Sequence, residues 1–579
     1  MESNKTEPKR LDALYSNPGS MDYLAKELWG NIPINIKEAL NLASKVKKDY
    51  DNDSSRLERL VKGLKKHHRS LGILTRKVEE NLDKLENGII EAGQQPSCLA
   101  GAGLVINKIA CIVKFSEFSG EESYTPLFYV ADYDGIQNEL LNIRIPSLSV
   151  RGLLISMPIE NASYGIPIYM LRKPGEEWLK DHSDKILNNY RGLLRGEKEE
   201  DRRIRLKNLE HVFTIIKSTY YQAENVSDWS TRILGTLFNI ESDLGVPFLN
   251  FSAESIRHLF QQGYELLISE PNRSLFIEAV NHAVEAIQQS GYKPQIGFRK
   301  SSYVPFFLEC MSRNCRRRRI ELEYETIHGS GLSYIKGRCP SCNEEYQYSL
   351  SGSNPDLSDI IGRISPRVDS RQIIADSILP IVCHVGGSGE AGYYSEIIPA
   401  ARALKLPFPV FFKYTRIFYN TPWNNVYASN LEAENFPSLM NSELFSSLSR
   451  WVESRRRKDP QGIEEAYRCI EKNILSVFEG LNKRLEKLEN EILGLRRKLQ
   501  EFNDSSILSL LEEKKRLSKL ISLYISSQFG RFSPEKFGQE VSWSWIDIAV
   551  ITGIKELTNL YLRQYFDHTL NAAMFYVNL

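Results

Sequence analysis

Four of the eight cysteines form two pairs with the spacing of a metal site. Cys310 and Cys315 are separated by four residues, and Cys339 and Cys342 by two residues within GRCPSCNEEY. Thiolates at such spacings can converge on one Zn²⁺ ion, and a shell of four cysteines leaves no position for a substrate. The pattern therefore predicts a structural zinc ribbon and argues against a catalytic metal, with four unrelated buried thiols as the alternative.

Two glycine-rich turns each follow an apolar segment and open a helical pattern. One is GQQPSCLAGAGLVINK, from Gly93 to Lys108, and the other is GGSGEAGYY, from Gly386 to Tyr394. Small residues let backbone N–H groups approach an anion at a helix N-terminus. Neither turn has the spacing of a P-loop or a dinucleotide fingerprint, so each alone also fits a tight turn with close helix packing. Because ligands of open α/β sheets bind at the carboxyl ends of strands, the two turns together predict one site.

Two acids, Asp132 and Asp134, end the apolar segment PLFYVADYD, and Glu139 follows them. Carboxylates at the end of a strand can bind an amine, a sugar hydroxyl or a metal, and they can equally form a turn through hydrogen bonds to the backbone. His384 precedes the second glycine-rich turn, and Cys98 lies within the first. A thiol at a helix N-terminus can be reactive, but both residues also fit a purely structural role.

The elements that must position these residues alternate between strand-like and helical patterns, which is typical of an α/β protein with a parallel sheet. The expected fold is a Rossmann-like parallel-sheet core built from two halves. The predicted units are a helical region at 1–88, the first part of the core with a helical insertion at 89–300, the zinc-ribbon-like insert at 301–355, the second part of the core at 356–430, a helical connector at 431–470, a coiled-coil hairpin at 471–530 and a helical segment at 531–579.

Nine apolar residues between Ile474 and Phe502 recur at alternating steps of four and three, with charged residues between them. This heptad pattern predicts a coiled coil. A second apolar stripe from Leu510 to Tyr524 predicts a return helix, which makes the coiled coil an antiparallel hairpin. Because the return stripe is too irregular to bury all nine seam residues, we expect the chain to form a homodimer through this element.

The composition of the 579-residue chain is that of a globular protein, with 42% hydrophobic and 25% charged residues. A net charge of +1 gives no overall field for nucleic acid or an anionic membrane, which argues against both as partners. The run Arg316 to Arg319 could hold phosphates or RNA, yet one short run in a neutral chain is more often solvated or ion-paired. No apolar stretch fits a signal peptide or a membrane span, and the predicted location is the cytoplasm, where thiols stay reduced.

Four blocks occur in the order found in the bacillithiol biosynthesis cysteine-adding enzymes, and the chain resembles that family from about Gly88 to its C-terminus. The blocks are GQQPSCLAGAGLVINK, PLFYVADYDGIQNEL, SGYKPQI and ISPRVDSRQIIADSILPIVCHVGGSGEAGYYSEIIPAARALKLPFPV. The resemblance implies a Rossmann-like core similar to class I aminoacyl-tRNA synthetases, with helical insertions and coiled-coil dimerisation. It also implies the addition of cysteine to glucosaminyl malate, the last step to bacillithiol.

The resemblance implies roles for individual residues. Asp134 and Glu390 would orient or deprotonate the amine, Lys108 would act beside them as a catalytic residue, and Lys108 with Arg371 would hold a carboxylate or phosphate. The substrate-binding set is Gln94, Gln95, Gly101, Gly103, Asn107, Glu139, Arg371, Gly387, Gly389 and Tyr393. Structural Zn²⁺ is the expected cofactor. Whether a nucleotide is consumed stays open.

Several positions depart from the family pattern. The family histidine before the lysine is Asn107, and the family's acid–histidine–acid run reads Tyr133-Asp134-Gly135-Ile136, so a second histidine is lost. The family proline of the second turn is Ser388, and the cysteine-bearing insert is not typical of the family. These departures indicate a divergent member with its own donor or acceptor. The alternative is a non-catalytic or differently specific nucleotide- or RNA-binding scaffold that kept the fold.

Overall fold

The computed structural model describes residues 9–17, 19–50, 54–148, 151–160, 163–326, 332–351, 354–433, 441–501 and 539–579, together with Ser438, Glu512, Lys515 and Arg516. Its strands are β1 (Ile89–Gln94), β2 (Thr125–Val130), β3 (Asn142–Ile145), β4 (Leu153–Ser156), β5 (Phe248–Asn250), β6 (Tyr303–Glu309), β7 (Arg319–Thr326), β8 (Leu332–Arg338), β9 (Glu345–Ser351), β10 (Ile364–Pro366), β11 (Ile381–Gly386), β12 (Val410–Lys413), β13 (Arg416–Asn420) and β14 (Met574–Asn578).

The α-helices lie before, between and after these strands. They are α1 (Leu11–Ser16), α2 (Asp22–Trp29), α3 (Ile36–Lys47), α4 (Ser54–Leu71), α5 (Arg76–Leu82), α6 (Gly103–Phe118), α7 (Asn138–Leu141), α8 (Glu176–Leu193), α9 (Glu199–Gln222), α10 (Val226–Gly235), α11 (Glu254–Arg257), α12 (Gln261–Ile268), α13 (Asn272–Gln289), α14 (Arg371–Asp376), α15 (Ser388–Ala403), α16 (Pro422–Ala433), α17 (Ser442–Arg456), α18 (Pro460–Glu501), α19 (Gln539–Ser542), α20 (Trp545–Thr552) and α21 (Ile554–Leu562). Within the described ranges, none of these helices has both the length and the apolar character needed to cross a bilayer.

The centre of the molecule is a parallel sheet of five strands in the order β12-β11-β1-β2-β5. Every residue of β2 and β11 is buried, as expected for strands that helices cover on both faces. The strands β1, β2 and β5 come from the first part of the predicted core, and β11 and β12 come from the second. The predicted Rossmann-like α/β core with a parallel sheet is therefore confirmed.

Two strand–turn–helix units lie side by side in this core. One consists of β1 and α6, the other of β11 and α15, and β1 pairs directly with β11. Since both strands run in the same direction, the N-termini of both helices lie at the same edge of the sheet. The topology thus brings the two glycine-rich turns together, although almost 300 residues separate them.

A second, antiparallel sheet has the strand order β10-β6-β7-β8-β9. It extends beyond the predicted insert at 301–355, because β10 pairs with β6. Cys310 and Cys315 lie in the connection between β6 and β7, and Cys339 and Cys342 lie in the connection between β8 and β9. Because successive strands of this sheet run in opposite directions, both cysteine pairs lie at the same end of it.

The heptad pattern from Ile474 to Leu499 lies in one helix, α18, which contains 42 residues and begins at Pro460, and Phe502 lies outside the described residues. α17 packs against α18, and Leu444, Val477, Leu481 and Leu488 form a small buried cluster there. The predicted return helix lies outside the described residues, apart from Glu512, Lys515 and Arg516. The antiparallel hairpin stays a prediction.

The segment at 539–579 is not only helical, as the sequence predicted, because it ends in β14. The β-branched and aromatic residues of Met574–Asn578 pair in parallel with β13. Trp545 anchors the same segment to the first glycine-rich turn, since its indole N–H donates to the Leu99 carbonyl oxygen at 2.9 Å. The C-terminal segment is therefore part of the core.

Candidate active site

The polar side chains predicted for the site lie at the carboxyl edge of the parallel sheet. β1 ends at Gln94, β2 is followed by Asp132 and Asp134, and β11 leads through Gly387 into α15. Because β1 lies between β2 and β11, all three loops open on the same edge. Open α/β sheets bind their ligands at this edge.

Lys108 of α6 joins the two glycine-rich turns. Its ammonium group donates hydrogen bonds to the Gly93 carbonyl oxygen at 2.9 Å and to Gln94 Oε1 at 3.1 Å, and it forms an ion pair with Glu390. The side chain of Lys108 is only 2% exposed, so its charge lies inside the protein. Gln94, Lys108 and Glu390 therefore form one constellation.

Glu390 uses its two oxygens for different contacts. Oε2 accepts the backbone N–H of Gly387 at 2.9 Å, which caps α15, and Oε1 faces Lys108. Burial alone would raise the pKa of Glu390, but the Lys108 ammonium outweighs that effect and holds the pKa below the usual range of a carboxyl group. Glu390 is therefore an ionised carboxylate at neutral pH.

Asp134 lies between a glutamine of the first turn and an arginine of the inserted sheet. Its Oδ2 accepts a hydrogen bond from Gln95 Nε2 at 2.6 Å, and its Oδ1 lies 3.7 Å from Arg319 Nη1. Burial raises the pKa of Asp134 above its usual range, and the Arg319 guanidinium opposes that shift. A carboxylate with a raised pKa that remains 29% exposed is a suitable proton acceptor.

Asp132, unlike Asp134, is buried and held by hydrogen bonds from neighbouring side chains. It is 2% exposed and accepts hydrogen bonds from Ser252 Oγ at 2.6 Å, Ser227 Oγ at 3.1 Å and Asn250 Nδ2 at 3.2 Å. Burial raises the pKa of Asp132, and these donors oppose the shift. Asp132 therefore links the end of β2 to the end of β5.

Arg371 lies in a buried charge network below the site. Its Nη1 lies 3.0 Å from Glu91 Oε1, its Nη2 donates to the Tyr394 hydroxyl at 3.0 Å, and His384 Nδ1 lies 2.8 Å from Glu91 Oε2. The predicted contact of Arg371 with a substrate carboxylate has to compete with Glu91, which is 0% exposed. Glu91 was not among the predicted site residues, although an acid inside the apolar run Ile89–Ala92 is a usable signal.

Asn107 and Gly103 face the C-terminal segment. Asn107 Nδ2 donates to the Thr415 carbonyl oxygen at 2.7 Å and to Glu540 at 2.9 Å, and its Oδ1 accepts the Tyr565 hydroxyl at 2.5 Å. The N–H of Gly103 donates to the Trp543 carbonyl oxygen. Because Asn107 is 0% exposed, the substrate contact suggested by the sequence would require the C-terminal segment to move away.

The remaining predicted residues differ in the space around them. A Cβ at Gly101 would lie 2.5 Å from Ser97 Oγ, and one at Gly387 would lie 3.1 Å from Glu390 Oε2, whereas one at Gly389 would meet no atom within 4 Å. Tyr393 is half-buried beside the site. Glu139 belongs to α7, and its side chain lies outside the described part of the chain.

A cavity of about 530 Å³ opens beside the first glycine-rich turn. Gln94, Ser97 and Gly101 line one side of it, and Asn142 and Arg144 of β3 line another. Its size is that of a small-molecule site, and Gln94 connects it to Lys108. Cys98 is wholly buried, and burial raises the pKa of its thiol, so the cavity contains no reactive thiolate at this position.

The Sγ atoms of Cys310, Cys315, Cys339 and Cys342 all lie within 4.8 Å of one another. The closest pairs are Cys310 with Cys342 at 3.6 Å and Cys315 with Cys339 at 3.8 Å. Burial raises the pKa of Cys339, but the backbone N–H groups of Cys342 and Ser341 outweigh it and lower that pKa to about 7. Four converging thiols, one of them with stabilised thiolate form, can bind a metal ion.

The arginine run beside this cluster is engaged within the protein rather than solvated. Arg316 Nη2 donates to the Met170 carbonyl oxygen at 2.9 Å, Arg317 Nη1 lies 3.5 Å from Glu309, and Arg319 faces Asp134. Arg317 and Arg319 are therefore ion-paired, whereas Arg316 is held by hydrogen bonds to uncharged groups. Through Arg319 the antiparallel sheet contacts the candidate site at the edge of the parallel sheet.

The chain is similar to known proteins of one family. The family model described as bacillithiol biosynthesis BshC, N-terminal Rossmann-like domain, matches residues 198–414. Relatives named "Putative cysteine ligase BshC" include those of Desulforamulus reducens, 24% identical over 421 residues and 69% of each chain, and of Carboxydothermus hydrogenoformans, 24% identical over 468 residues and 77% of each chain. The relative from Geobacillus kaustophilus is 24% identical over 338 residues, which are 57% of this chain and 54% of that relative.

Proposed function

Since this chain belongs to the bacillithiol biosynthesis BshC family as a divergent member, we propose that it is a ligase that joins cysteine to an amino-sugar acceptor through an amide bond. The observation that carries the proposal is the constellation of Lys108, Glu390 and Gln94 beside Asp134 at the carboxyl edge of the sheet. A cavity of about 530 Å³ next to it has room for a substrate.

In the proposed reaction the acceptor amine attacks the carboxyl carbon of cysteine. A C–N bond forms, a C–O bond breaks, and the amine loses a proton. A free carboxylate is a poor electrophile. A nucleoside triphosphate would supply the activation, and the departing oxygen would leave bound to a phosphoryl group taken from that nucleotide. Lys108, with its charge held in a buried position, would stabilise negative charge on the reacting carboxyl group.

Asp134 is the proposed proton acceptor. Burial raises the pKa of Asp134, which brings this pKa closer to the pKa of an amine. The Asp134 side chain also stays partly exposed at the site. Glu390 would orient the ammonium or amine group, because its carboxylate stays ionised beside Lys108. The backbone N–H groups at the starts of α6 and α15 would hold an anionic part of the substrate.

The test is an assay of the purified full chain with cysteine and glucosaminyl malate, with and without ATP. We expect an amide product by mass spectrometry and a loss of at least about 100-fold in rate for Asp134→Asn, the lower end of a general-base contribution. Asp181→Asn, which changes an acid that is 57% exposed on α8, is the matched control and should leave the rate unchanged. Absence of amide under every nucleotide condition would contradict the proposal.

The alternative function is a nucleotide- or RNA-binding scaffold without ligase activity. The burial of Asn107 favours it, because the position where the family has a histidine is closed off here. The same assay separates the two proposals. Binding of ATP or tRNA by a chain that forms no amide would support the scaffold.

Two structural proposals accompany the ligase. The four-cysteine cluster holds one structural Zn²⁺, which the tetrahedral preference of zinc for thiolates supports. The chain forms a homodimer through α18, which the exposed apolar side chains Leu475 and Phe478 support. A cytoplasmic location, suited to reduced thiols, also stays a proposal.

A further inference from the structure

Two arginines of the inserted sheet region contact the same phenylalanine at the edge of the active site. The guanidinium carbon of Arg319 lies 3.9 Å from the centre of the Phe307 ring, and that of Arg367 lies 4.2 Å from it. Their side chains are 15% and 14% exposed. Aromatic contact on this scale holds the planar guanidinium groups in place without using their N–H donors.

The hydrogen-bonding capacity of these arginines is not used up by the protein. Within the part of the chain that the structure describes, the Nε atoms of Arg319 and Arg367 are buried and have no hydrogen-bond partner. Arg319 Nη2 reaches only the Pro366 carbonyl oxygen at 3.5 Å, and Asp134 lies at 3.7 Å, beyond hydrogen-bond distance. Arg367 Nη1 donates to Glu321 Oε1 at 3.3 Å, whereas Arg319 has, among the described carboxylates, only the longer contact with Asp134, so the Arg319 guanidinium keeps donors that an anionic ligand could use.

The charges around the pair leave the site positive. Glu309 is held by Arg257, at 2.5 Å, and by Arg317, so it does not neutralise Arg319. Arg367 faces Glu321 at 3.3 Å, but that side chain is 76% exposed and screened by solvent. Among the described residues, Asp134 forms the ion pair with Arg319, and the buried Glu309 adds a weaker attraction.

Arg319 lies close to Asp134, the proposed proton acceptor. Arg319 Nη1 lies 3.8 Å from where a Cβ of Gly135 would be, so the guanidinium occupies the space above the loop that carries Asp134. A ligand held by Arg319 would therefore lie next to the proposed proton acceptor. At the same edge of the sheet, Lys108 and Glu390 join the two glycine-rich turns, whereas Arg319 contacts Asp134.

We propose that Arg319 and Arg367 bind a carboxylate group of the amino-sugar acceptor and thereby place its amine at Asp134. The inference rests on the proposed ligase function. Guanidinium groups suit planar carboxylates because their N–H donors match both oxygens. Phosphate of a nucleotide shares this anionic chemistry, and the test separates the two sources.

The experiment measures steady-state kinetics of the full chain and of Arg319→Met. Loss of a charge-assisted contact should raise the KM for the acceptor at least about tenfold and leave the KM for cysteine and for ATP unchanged. Arg319→Lys should recover part of the loss. Arg338→Met, in the same sheet but 63% exposed, is the matched control and should behave like the unaltered chain.

Arg367→Met provides a second variant in case Arg319→Met impairs folding, and we expect the same selective rise in acceptor KM. Direct titration of malate into the unaltered chain and both methionine variants gives a readout without turnover. An unchanged acceptor KM together with unchanged malate binding would overturn the inference, as would a selective rise in the KM for ATP. Absence of amide product from the unaltered chain would instead contradict the proposed function, and loss of malate binding in the variants would still support the anion site.

Discussion

Lys108 and Glu390 form a buried ion pair whose members come from the two halves of the core. Lys108 is 2% and Glu390 18% exposed. Taking either charge out of water is costly, and their attraction offsets this cost only while both are present. Removing one partner should therefore destabilise the protein more than removing both.

We expect Lys108→Met to lower the free energy of unfolding by about 3–5 kcal/mol, because it leaves a buried carboxylate unpaired. Glu390→Gln should lower turnover at least about tenfold. The double variant should regain part of the stability but not the activity. Denaturant unfolding and the amide assay measure the two effects. Lys114→Met breaks the exposed pair with Glu117 on the same helix and should cost under about 1 kcal/mol.

A substitution at Gly389 can distinguish an effect on substrate binding to the backbone from an effect on the packing of the protein. A Cβ there would meet no atom within 4 Å, so Gly389→Ala should keep or slightly raise the melting temperature, since alanine favours a helix more than glycine does. If substrate approaches this backbone, its affinity should fall at least about tenfold. Gly192→Ala, with equally open space in α8, controls for helix propensity. Unchanged affinity would show that ligand does not contact Gly389.

Glu540 gives the chain a predicted pH dependence. Burial raises its pKa from 4.5 to about 8 in the folded state. Below about pH 4.5 the group is protonated in both states. Between that pH and about 8, Glu540 stays protonated in the folded chain but ionises in the unfolded chain. The free energy of unfolding should therefore fall as the pH rises through this range.

Thermal melting between pH 5.5 and 8.5 tests this dependence. The melting temperature should decline across the range, and Glu540→Gln should flatten the decline because an amide cannot ionise. Glu556→Gln changes a half-exposed glutamate in α21 and should leave the decline as it is. An equal slope in the Glu540 variant would assign the dependence to other groups.

At the scale of elements, α18 presents apolar side chains on two sides. Leu481 and Leu488 are buried within the chain. Tyr467, Leu475, Phe478 and Leu493 are each about half exposed, and at about 100° per residue they fall within an arc of about 80°. This exposed stripe is where a second copy would dock, since it leaves the buried cluster intact.

Leu475→Glu combined with Phe478→Glu should convert a dimer to a monomer at micromolar concentration, as measured by light scattering. Charges on the exposed stripe oppose association but do not disturb the buried cluster. Tyr221→Glu, at a residue 63% exposed on α9, controls for added surface charge and should leave the dimer intact. A monomeric unaltered chain would refute the dimer.

At the scale of the whole molecule, only three residues of chain separate the cysteine cluster from the candidate active site. Cys315 belongs to the cluster, and Arg319 faces Asp134. The N–H of Arg318 donates to the Cys315 carbonyl oxygen at 3.0 Å, which fixes the chain between them. We therefore expect loss of order at the cysteine cluster to displace Arg319 from Asp134.

Metal analysis should find one zinc per chain. Cys339→Ser should lose it and unfold the inserted sheet first, because a structural zinc site contributes directly to folding. Cys469→Ser changes an exposed cysteine outside the cluster and should keep both metal and stability. Freshly purified protein without zinc and with four freely titratable thiols would contradict the prediction.

Local sequence patterns were sufficient to identify the alternating strands and helices, the two glycine-rich turns and the cysteine pairs. Each of these features depends on residues within a few positions of one another. The buried runs at Ile89 and Ile381 indicated strands of a covered parallel sheet for this reason. Asp134 and Glu390 were predicted at a site from their places after such runs, whereas Lys108 was predicted from the resemblance to the family.

Contacts between distant residues could be decided only by the tertiary structure. Lys108 meets Glu390 because β1 and β11 are adjacent, and Arg371 pairs with Glu91 across 280 positions. Asn107 is closed off by Glu540 and Tyr565, whose segment shows no pattern that predicts where it packs. A side chain's periodicity determines which face of its element it occupies, whereas its partner, and hence its charge state, depends on which other element lies against that face.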